Sequence, residues 1–225
     1  SYSRVMPQRL ARATGIIVAT ERDIAHVRFD PLPADVVERL ASALTRWNAA
    51  DAELVTLAQE TARTIGGLFD GAIDRGEISV DRLFSAEYEQ TPDTDPPQFT
   101  APCTALCDRL LADLQDKALL RHRRIAFCAA VDRNGYLPTH NRKYSEPQRP
   151  DDPIWNNAHC RNRRMFDDAT GLAAARNRQA ILIQTYRRDM GGGQIVSMKD
   201  IAAPIYVKGK HWGAFRIGTE DRHEG

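Results

Sequence analysis

The most constraining feature of the sequence is an apolar repeat through residues 34–75. From Val37 to Ala72, apolar side chains recur every three or four residues, the spacing of one face of an α-helix. About 40 residues of helix would be on the order of 60 Å long. One small domain cannot cover an apolar stripe of that length, so the pattern predicts a connector helix that pairs with a second copy as a coiled coil. We expect a homodimer, with Gly66 and Gly67 weakening the helix near its end.

Strand signals dominate the second half of the chain. Four stretches rich in β-branched and aromatic residues are separated by turn signals: 124–132, 180–188, 194–207 and 211–218. Strands that are joined by tight turns pair antiparallel. A further amphipathic helix is predicted at about 103–118, and residues 16–29 have the pattern of a short hairpin or of a strand and a turn. We therefore predict an α+β fold in which the long helix leads to a five- to six-stranded antiparallel sheet with flanking helices.

Composition and cysteine content indicate a protein of a reducing compartment. The chain is 42% hydrophobic and 27% charged, and its four cysteines form no CxxC pair. Its longest uncharged apolar stretch, TGIIVAT, is too short to cross a bilayer, and the first 12 residues have no apolar signal-peptide core. We expect a cytoplasmic protein that does not insert into a membrane.

The formal net charge of +1 conceals an uneven distribution. Residues 1–120 have 12 Lys and Arg against 19 Asp and Glu, whereas residues 121–188 have 14 against 6, a net of +8. The basic segment could contact an anionic small ligand or the acidic first half of the chain. Nucleic acid is not expected, because the basic residues form no continuous helical stripe and the pI is near neutral.

The sequence contains no motif of a known catalytic class. GxSxG, HExxH, GxGxxG and the Walker loop are absent, and the six histidines lack metal-ligand spacing. We therefore expect neither an enzyme nor a metal site, and we predict no cofactor.

Polar and aromatic side chains near the predicted strand ends suggest a ligand pocket instead. Gln184, Tyr186 and Arg188 share one face of a strand because side chains alternate, and Trp212 is expected on a similar face of the last strand. The predicted ligand-binding residues have hydrogen-bonding or aromatic side chains: Tyr136, His140, Asn141, Arg161, Arg163, Arg164, Gln184, Tyr186, Arg188 and Trp212. Arginine suits two-pronged recognition of carboxylate or phosphate. Alternatively, the arginines pair with Asp132, Asp167, Asp168 and Asp189 and join helix to sheet.

The stretch NGYLPTHN, residues 134–141, raises a separate question. Asn134-Gly135 is a tight-turn signal, which places Thr139, His140 and Asn141 on a returning strand. His140 is then either a buried, hydrogen-bonded histidine or a residue of the pocket rim.

Four strings occur in the order typical of a known protein region: GGLFDGAIDRGEISVDRLF, VDRNGYLPTHN, NRRMFDDATGLAAARN, and QTYRRDMGGG with MKDIAAPIYVKGKHWGAFRIG. Over about residues 60–218 the chain resembles a cytoplasmic region of some bacterial methyl-accepting chemotaxis proteins. It departs from the usual pattern in having CRNRRMF where NRTKRIF is common, and Thr219 where a tyrosine is common. The resemblance implies a PAS- or Cache-like sensor domain, which we place at 76–225, after the connector helix at 34–75 and an N-terminal segment at 1–33.

Three other interpretations stay open at this point. The pocket could hold haem or flavin, with His140 or His211 as a ligand, in a redox or gas sensor. The chain could instead be a structural dimerisation module, or an enzyme, for which the missing motifs leave least support. The leading interpretation is a cytoplasmic sensory module that binds a small polar or anionic ligand and signals through a helical dimer to the signalling region of a chemoreceptor.

Overall fold

The computed structural model describes residues 15–21, 24–29, 34–189, 193 and 195–220. They belong to two compact units that divide after Ala52. The helices are α1 (Ala34–Asp74), α2 (Val80–Leu83), α3 (Thr104–Leu119), α4 (Pro153–His159) and α5 (Ala169–Ala175), with a 3-10 turn at Arg142–Tyr144. The strands are β1 (Gly15–Glu21), β2 (Ile24–Phe29), β3 (Glu89–Gln90), β4 (Phe99–Thr100), β5 (Ile125–Asp132), β6 (Tyr136–Leu137), β7 (Arg164–Met165), β8 (Leu182–Asp189), β9 (Ile195–Val207) and β10 (Lys210–Glu220).

In the first unit, β1 and β2 form an antiparallel hairpin whose register shifts between Ile17 and Ala19. The division between the units falls inside α1, so residues 53–74 of this helix belong with the sheet.

The second unit is built on a four-stranded antiparallel sheet in the order β5-β10-β9-β8. The predicted α+β class with an antiparallel sheet and flanking helices is confirmed, but the main sheet has four strands instead of five or six. The remaining short strands pair separately as β3-β4 and β6-β7. The β9-β10 hairpin turns at Lys208 and Gly209, both of which have positive φ angles.

Side-chain alternation along the strands gives the sheet two different faces. One, the α1/α3 face, carries Cys128, Ala130, Ile201 and Phe215 in a core that includes residues of α1 and α3. The other, the α5 face, carries Phe127, Ala129, Ala202 and Ala214 in a core with Ala174 and Ala175 of α5. The two-residue period of a strand is the physical cause of this separation.

The second half of the apolar repeat in α1 is covered by its own chain. Leu54, Ala58, Ile65 and Phe69 are fully buried in the α1/α3 core. Their burial therefore requires no second copy, contrary to the expectation that the whole stripe would stay in water in a monomer. The side chains of residues 37–50, on which the coiled-coil prediction also depends, lie outside the described part of the chain.

Among the described residues, no helix combines the length and the apolar character that crossing a membrane requires.

Candidate functional site

A cavity of about 660 Å³ lies on the α5 face of the sheet. Its wall includes β5, β8 and β10 of the sheet, and it extends to α4, β7 and the first turn of α5. Half of the predicted ligand-binding side chains line it: His140, Arg161, Arg164, Tyr186 and Arg188. The other half are absent from its wall: Tyr136, Asn141, Arg163, Gln184 and Trp212.

Arg188 is the most unusual side chain of the cavity wall. It is only 4% exposed, and its guanidinium lies 5.2 Å from the ring centre of Phe127 and 5.0 Å from that of Tyr144. The aromatic rings stabilise the cation, as cation–π contacts do. Its Nε and Nη2 atoms are nevertheless buried without a hydrogen-bond partner among the described residues. A buried charged donor without an acceptor is costly, so this guanidinium marks a place where an acceptor is missing.

Arg161 and Arg164 form a second basic group in the same cavity. Nη1 of Arg161 donates to the carbonyl oxygen of Asn157 at 2.9 Å, and Nη1 of Arg164 donates to the side-chain oxygen of Asn157 at 2.9 Å. Both guanidiniums also lie near the ring of Phe166, at 5.3 and 5.5 Å from its centre. Burial, together with the charges of Arg188 and Arg164, lowers the pKa of Arg161 to about 9. The guanidiniums thus repel one another inside a poorly solvated space.

Arg216 also lines the cavity but is already neutralised. Its Nε and Nη2 atoms donate to the carboxylate of Asp200 at 3.1–3.3 Å, and Asp200 is fully buried. Burial alone would lower the pKa of Arg216, but the charge and hydrogen bonds of Asp200 outweigh it and raise that pKa. Gln184 joins this pair, because its Nε2 donates to Asp200 and to the carbonyl oxygen of Thr170 in α5. Gln184 therefore joins the sheet to α5, although it was predicted to contact a ligand.

His140 enters the cavity wall as a neutral imidazole. Its ring packs edge-on against Phe127 and Tyr144, and its Nδ1 accepts the backbone N–H of Asn141 at 2.7 Å. Burial, and after it the charge of Arg161, holds the pKa of His140 well below its usual range. Because Nδ1 is an acceptor, the proton of the neutral ring is on Nε2, which makes that atom a donor.

Two residues of the NGYLPTHN stretch hold the fold together outside the cavity. The hydroxyl of Tyr136 donates to the carbonyl oxygen of Phe99 at 2.9 Å and lies 2.7 Å from the Thr104 hydroxyl. The side-chain oxygen of Asn141 accepts the backbone N–H of Cys128 at 2.8 Å. Both side chains are fully buried, so they satisfy backbone and helix groups of their own chain.

The stretch also does not return along β5 as predicted. The Asp132 carboxylate accepts the N–H groups of Asn134 and Tyr136, and Gly135 accepts the N–H of Phe166. These bonds direct residues 136–137 onto β7, with which they pair. Gly135, at φ +89°, provides the left-handed conformation that the turn needs.

Trp212 lies on the opposite face of the sheet from the one predicted. The register of β10 against β9 shifts between His211 and Gly213, which leaves Trp212 in a β-bulge. The ring therefore joins the α1/α3 core, 5.0 Å from Phe69, and its Nε1 donates to the carbonyl oxygen of Leu83. Simple alternation from Arg216 would have placed it on the cavity side.

The alternative prediction paired the arginines with Asp132, Asp167, Asp168 and Asp189, whereas the pairs that the structure shows for Arg163 and Arg216 use other aspartates. Arg163 pairs with Asp108 at 3.0 Å, away from the cavity. Asp168 accepts the N–H groups of Thr170 and Gly171 and so caps α5. In the part of the chain that the structure describes, neither Arg161, Arg164 nor Arg188 has a carboxylate partner.

Sequence reasoning missed the other residues of the cavity wall, among them Phe127, Asn157 and Phe166. Phe127 could have been found, because alternation along β5 places it beside Ala129 on one face. Asn157 lies on the short helix α4, which begins at the Asp152 side chain and Pro153 and which the sequence analysis did not predict. Phe166 carries no local signal, since its role depends on the distant segments that converge on it.

Comparison with known proteins assigns no family to the chain: no family model matches it, and no curated protein is significantly similar.

Proposed function

We propose that this chain is a cytoplasmic sensory module that binds a small anionic ligand in the arginine-lined cavity. The observation that carries the proposal is the buried Arg188 guanidinium, whose Nε and Nη2 atoms have no acceptor among the described residues. A carboxylate or phosphate at that position would accept a hydrogen bond from each of these two atoms. Such charge-assisted bonds are stronger than neutral hydrogen bonds. The neighbouring Arg161 and Arg164 add attraction for negative charge.

The PAS- or Cache-like character of the module is part of the same proposal. An antiparallel sheet with helices on one face and a ligand cavity on the other would fit that type. The strings that resemble chemotaxis proteins also support it, because they contain Arg164, Tyr186 and Arg188, which line the cavity.

Signal transfer would pass through β10. This strand has Arg216 in the cavity wall and Trp212 against Phe69 of α1, at 5.0 Å between ring centres. A ligand that shifts the guanidiniums of the cavity would therefore act four residues along β10 from the contact between Trp212 and α1. Packed interfaces respond to such small shifts by moving as units.

Ligand screening with arginine variants tests the binding proposal. Thermal-shift measurements with organic acids, amino acids and nucleotides, followed by calorimetry, should find an anion that stabilises the protein. Arg188→Ala and Arg164→Ala should each weaken its binding about ten- to a hundredfold, since a charge-assisted hydrogen bond contributes about 1.5–3 kcal/mol.

Arg163→Ala is the matched control. It removes the same charge one residue from Arg164, but from a partly exposed pair with Asp108 outside the cavity. Its affinity should stay within about twofold of wild type, as expected for a contribution below about 1 kcal/mol. A ligand whose affinity is unchanged by both Arg188→Ala and Arg164→Ala would contradict the proposal.

The helical dimer is the remaining part of the proposal, and it rests on the apolar repeat of residues 37–50. Leu44→Asp should weaken self-association in sedimentation experiments, because the charge would be desolvated without a partner. Leu54→Asp should instead unfold the protein, since Leu54 is buried in its own core. A wild-type monomer at tens of micromolar, above the roughly micromolar affinities of moderate interfaces, would rule out the dimer.

A further inference from the structure

The basic groups of the cavity have two different sets of supporting residues, which define an Arg188 subsite and an Arg161–Arg164 subsite. Arg188 is held by the rings of Phe127 and Tyr144, which belong to β5 and to the turn after β6. Arg161 and Arg164 are instead held together by Asn157 and Phe166. Because the two groups use different supports, each can receive its own acceptor.

Arg216 shows what the Arg188 subsite lacks. Nε and Nη2 of an arginine point to the same side and form one two-pronged donor, which fits the two oxygens of a carboxylate. In Arg216 these two atoms bind the carboxylate of Asp200. In Arg188 the same two atoms are the ones left without a partner. The Arg188 subsite therefore has the donor geometry for one carboxylate or phosphate group.

The charge balance of the cavity requires more than one negative group. With Arg216 neutralised by Asp200, the guanidiniums of Arg161, Arg164 and Arg188 remain, beside the solvent-exposed Arg187 at the wall. Among the described residues, the carboxylate in the wall is Asp168, whose oxygen already binds two N–H groups of α5. A ligand with one charge would leave most of this positive charge uncompensated in a poorly solvated space, which is costly.

Resting on the proposed binding function, we infer that the ligand carries at least two anionic groups, one on Arg188 and one on the Arg161–Arg164 pair. The chemical class is a small dicarboxylate, tricarboxylate or phosphorylated acid. The depressed pKa of Arg161, which reflects burial and repulsion by Arg188 and Arg164, agrees with a site that is unsatisfied until such a ligand is bound. The aromatic side chains of Phe127, Phe166 and Tyr186 in the wall suit a ligand whose charged ends are joined by an apolar or aromatic middle.

Calorimetry with charge-matched ligand pairs tests this inference on the full chain. The probes are malonate, succinate, glutarate and the three benzenedicarboxylates, each beside its monoamide, which has nearly the same shape and one charge less. 3-Phosphoglycerate, beside glycerol 3-phosphate, which lacks its carboxylate, tests a ligand with one phosphate and one carboxylate. We expect at least one diacid or phosphorylated acid to bind, and its analogue with one anionic group fewer to bind at least about tenfold more weakly.

Arginine substitutions then assign the two groups. Arg188→Gln and Arg161→Gln should each weaken binding of the doubly charged ligand. The monoamide has only one charged group, so one of the two substitutions should leave its affinity unchanged. Arg188→Lys keeps a charge without the two-pronged donor, and circular dichroism checks that each variant is folded. If Arg188→Gln does not fold, Arg188→Lys takes its place in this comparison, beside Arg161→Gln for the other subsite.

The possible results separate the inference from the proposed function. If monoamides bind as tightly as the diacids, the requirement for two charges is wrong while anion binding stands. The same holds if both substitutions weaken the monoamide equally. If no anion binds at roughly 1–10 mM, the proposed function itself fails, and this inference fails with it.

Discussion

Replacing Asp200 by Asn should be the most destabilising charge change near the cavity. The Asp200 carboxylate accepts three contacts from Arg216 at 3.1–3.3 Å and one from Gln184 at 2.9 Å. Asp200 is fully buried, and Arg216 is only 6% exposed. The substitution keeps the size of the side chain but leaves a buried guanidinium without its counter-charge.

The expected cost follows from what remains in the cavity. Removing one partner of a buried ion pair typically costs about 3–5 kcal/mol, because the other charge stays buried and unpaired. Here the unpaired Arg216 would share the cavity with Arg161, Arg164 and Arg188, so we expect the upper part of that range. A domain with a total stability of about 5–15 kcal/mol would lose a large share of it.

Urea denaturation followed by circular dichroism at pH 7 measures this loss. Asp200→Asn with Arg216→Met should recover most of the stability, because no unpaired charge remains. Asp108→Asn is the matched control, since it breaks the partly exposed pair with Arg163 and should cost less than about 1 kcal/mol. A loss below about 1 kcal/mol for Asp200→Asn, or a double variant as unstable as the single one, would refute the reasoning.

Three further predictions concern backbone packing and pH. Gly66→Ala should lower the melting temperature, because its methyl group would overlap the carbonyl oxygen of Tyr206. Gly67→Ala has open space around it and should raise the stability by up to about 1 kcal/mol. Equal effects of the two substitutions would contradict this reasoning. Gly213→Val should lower the urea midpoint, since its side chain would collide with the backbone of β5; an unchanged midpoint would place β10 elsewhere. Anion affinity should be highest below pH 9 and fall above it as Arg161 (pKa about 9) loses its proton, and Arg161→Gln should flatten that profile in calorimetry.

Local patterns predicted the elements that depend on neighbouring residues alone. The amphipathic spacing gave a helix at about 103–118, and α3 extends from Thr104 to Leu119. Strand alternation grouped Tyr186 with Arg188, and both line the cavity. These features follow from the periods of helix and strand, which the order of residues contains.

Local patterns failed where one residue departs from the regular period. The bulge at Trp212 reverses the face of that side chain, and nothing in the neighbouring letters marks it. The turn at Gly135 was predicted, but its direction depends on a hydrogen bond from Phe166, which lies 31 residues further along the chain. The number of strands in the main sheet depended on the same event, since residues 136–137 pair with β7.

The sequence by itself determined that residues 121–188 are basic and that α1 has an apolar face. Only the tertiary structure decided what meets those groups. Arg163 and Arg164 are adjacent and chemically identical, yet Arg163 pairs with Asp108, 55 residues away, while Arg164 enters the cavity. Likewise, the stripe from Leu54 onward packs into its own core, because a periodic pattern fixes which face of a helix avoids water and leaves open which surface covers it.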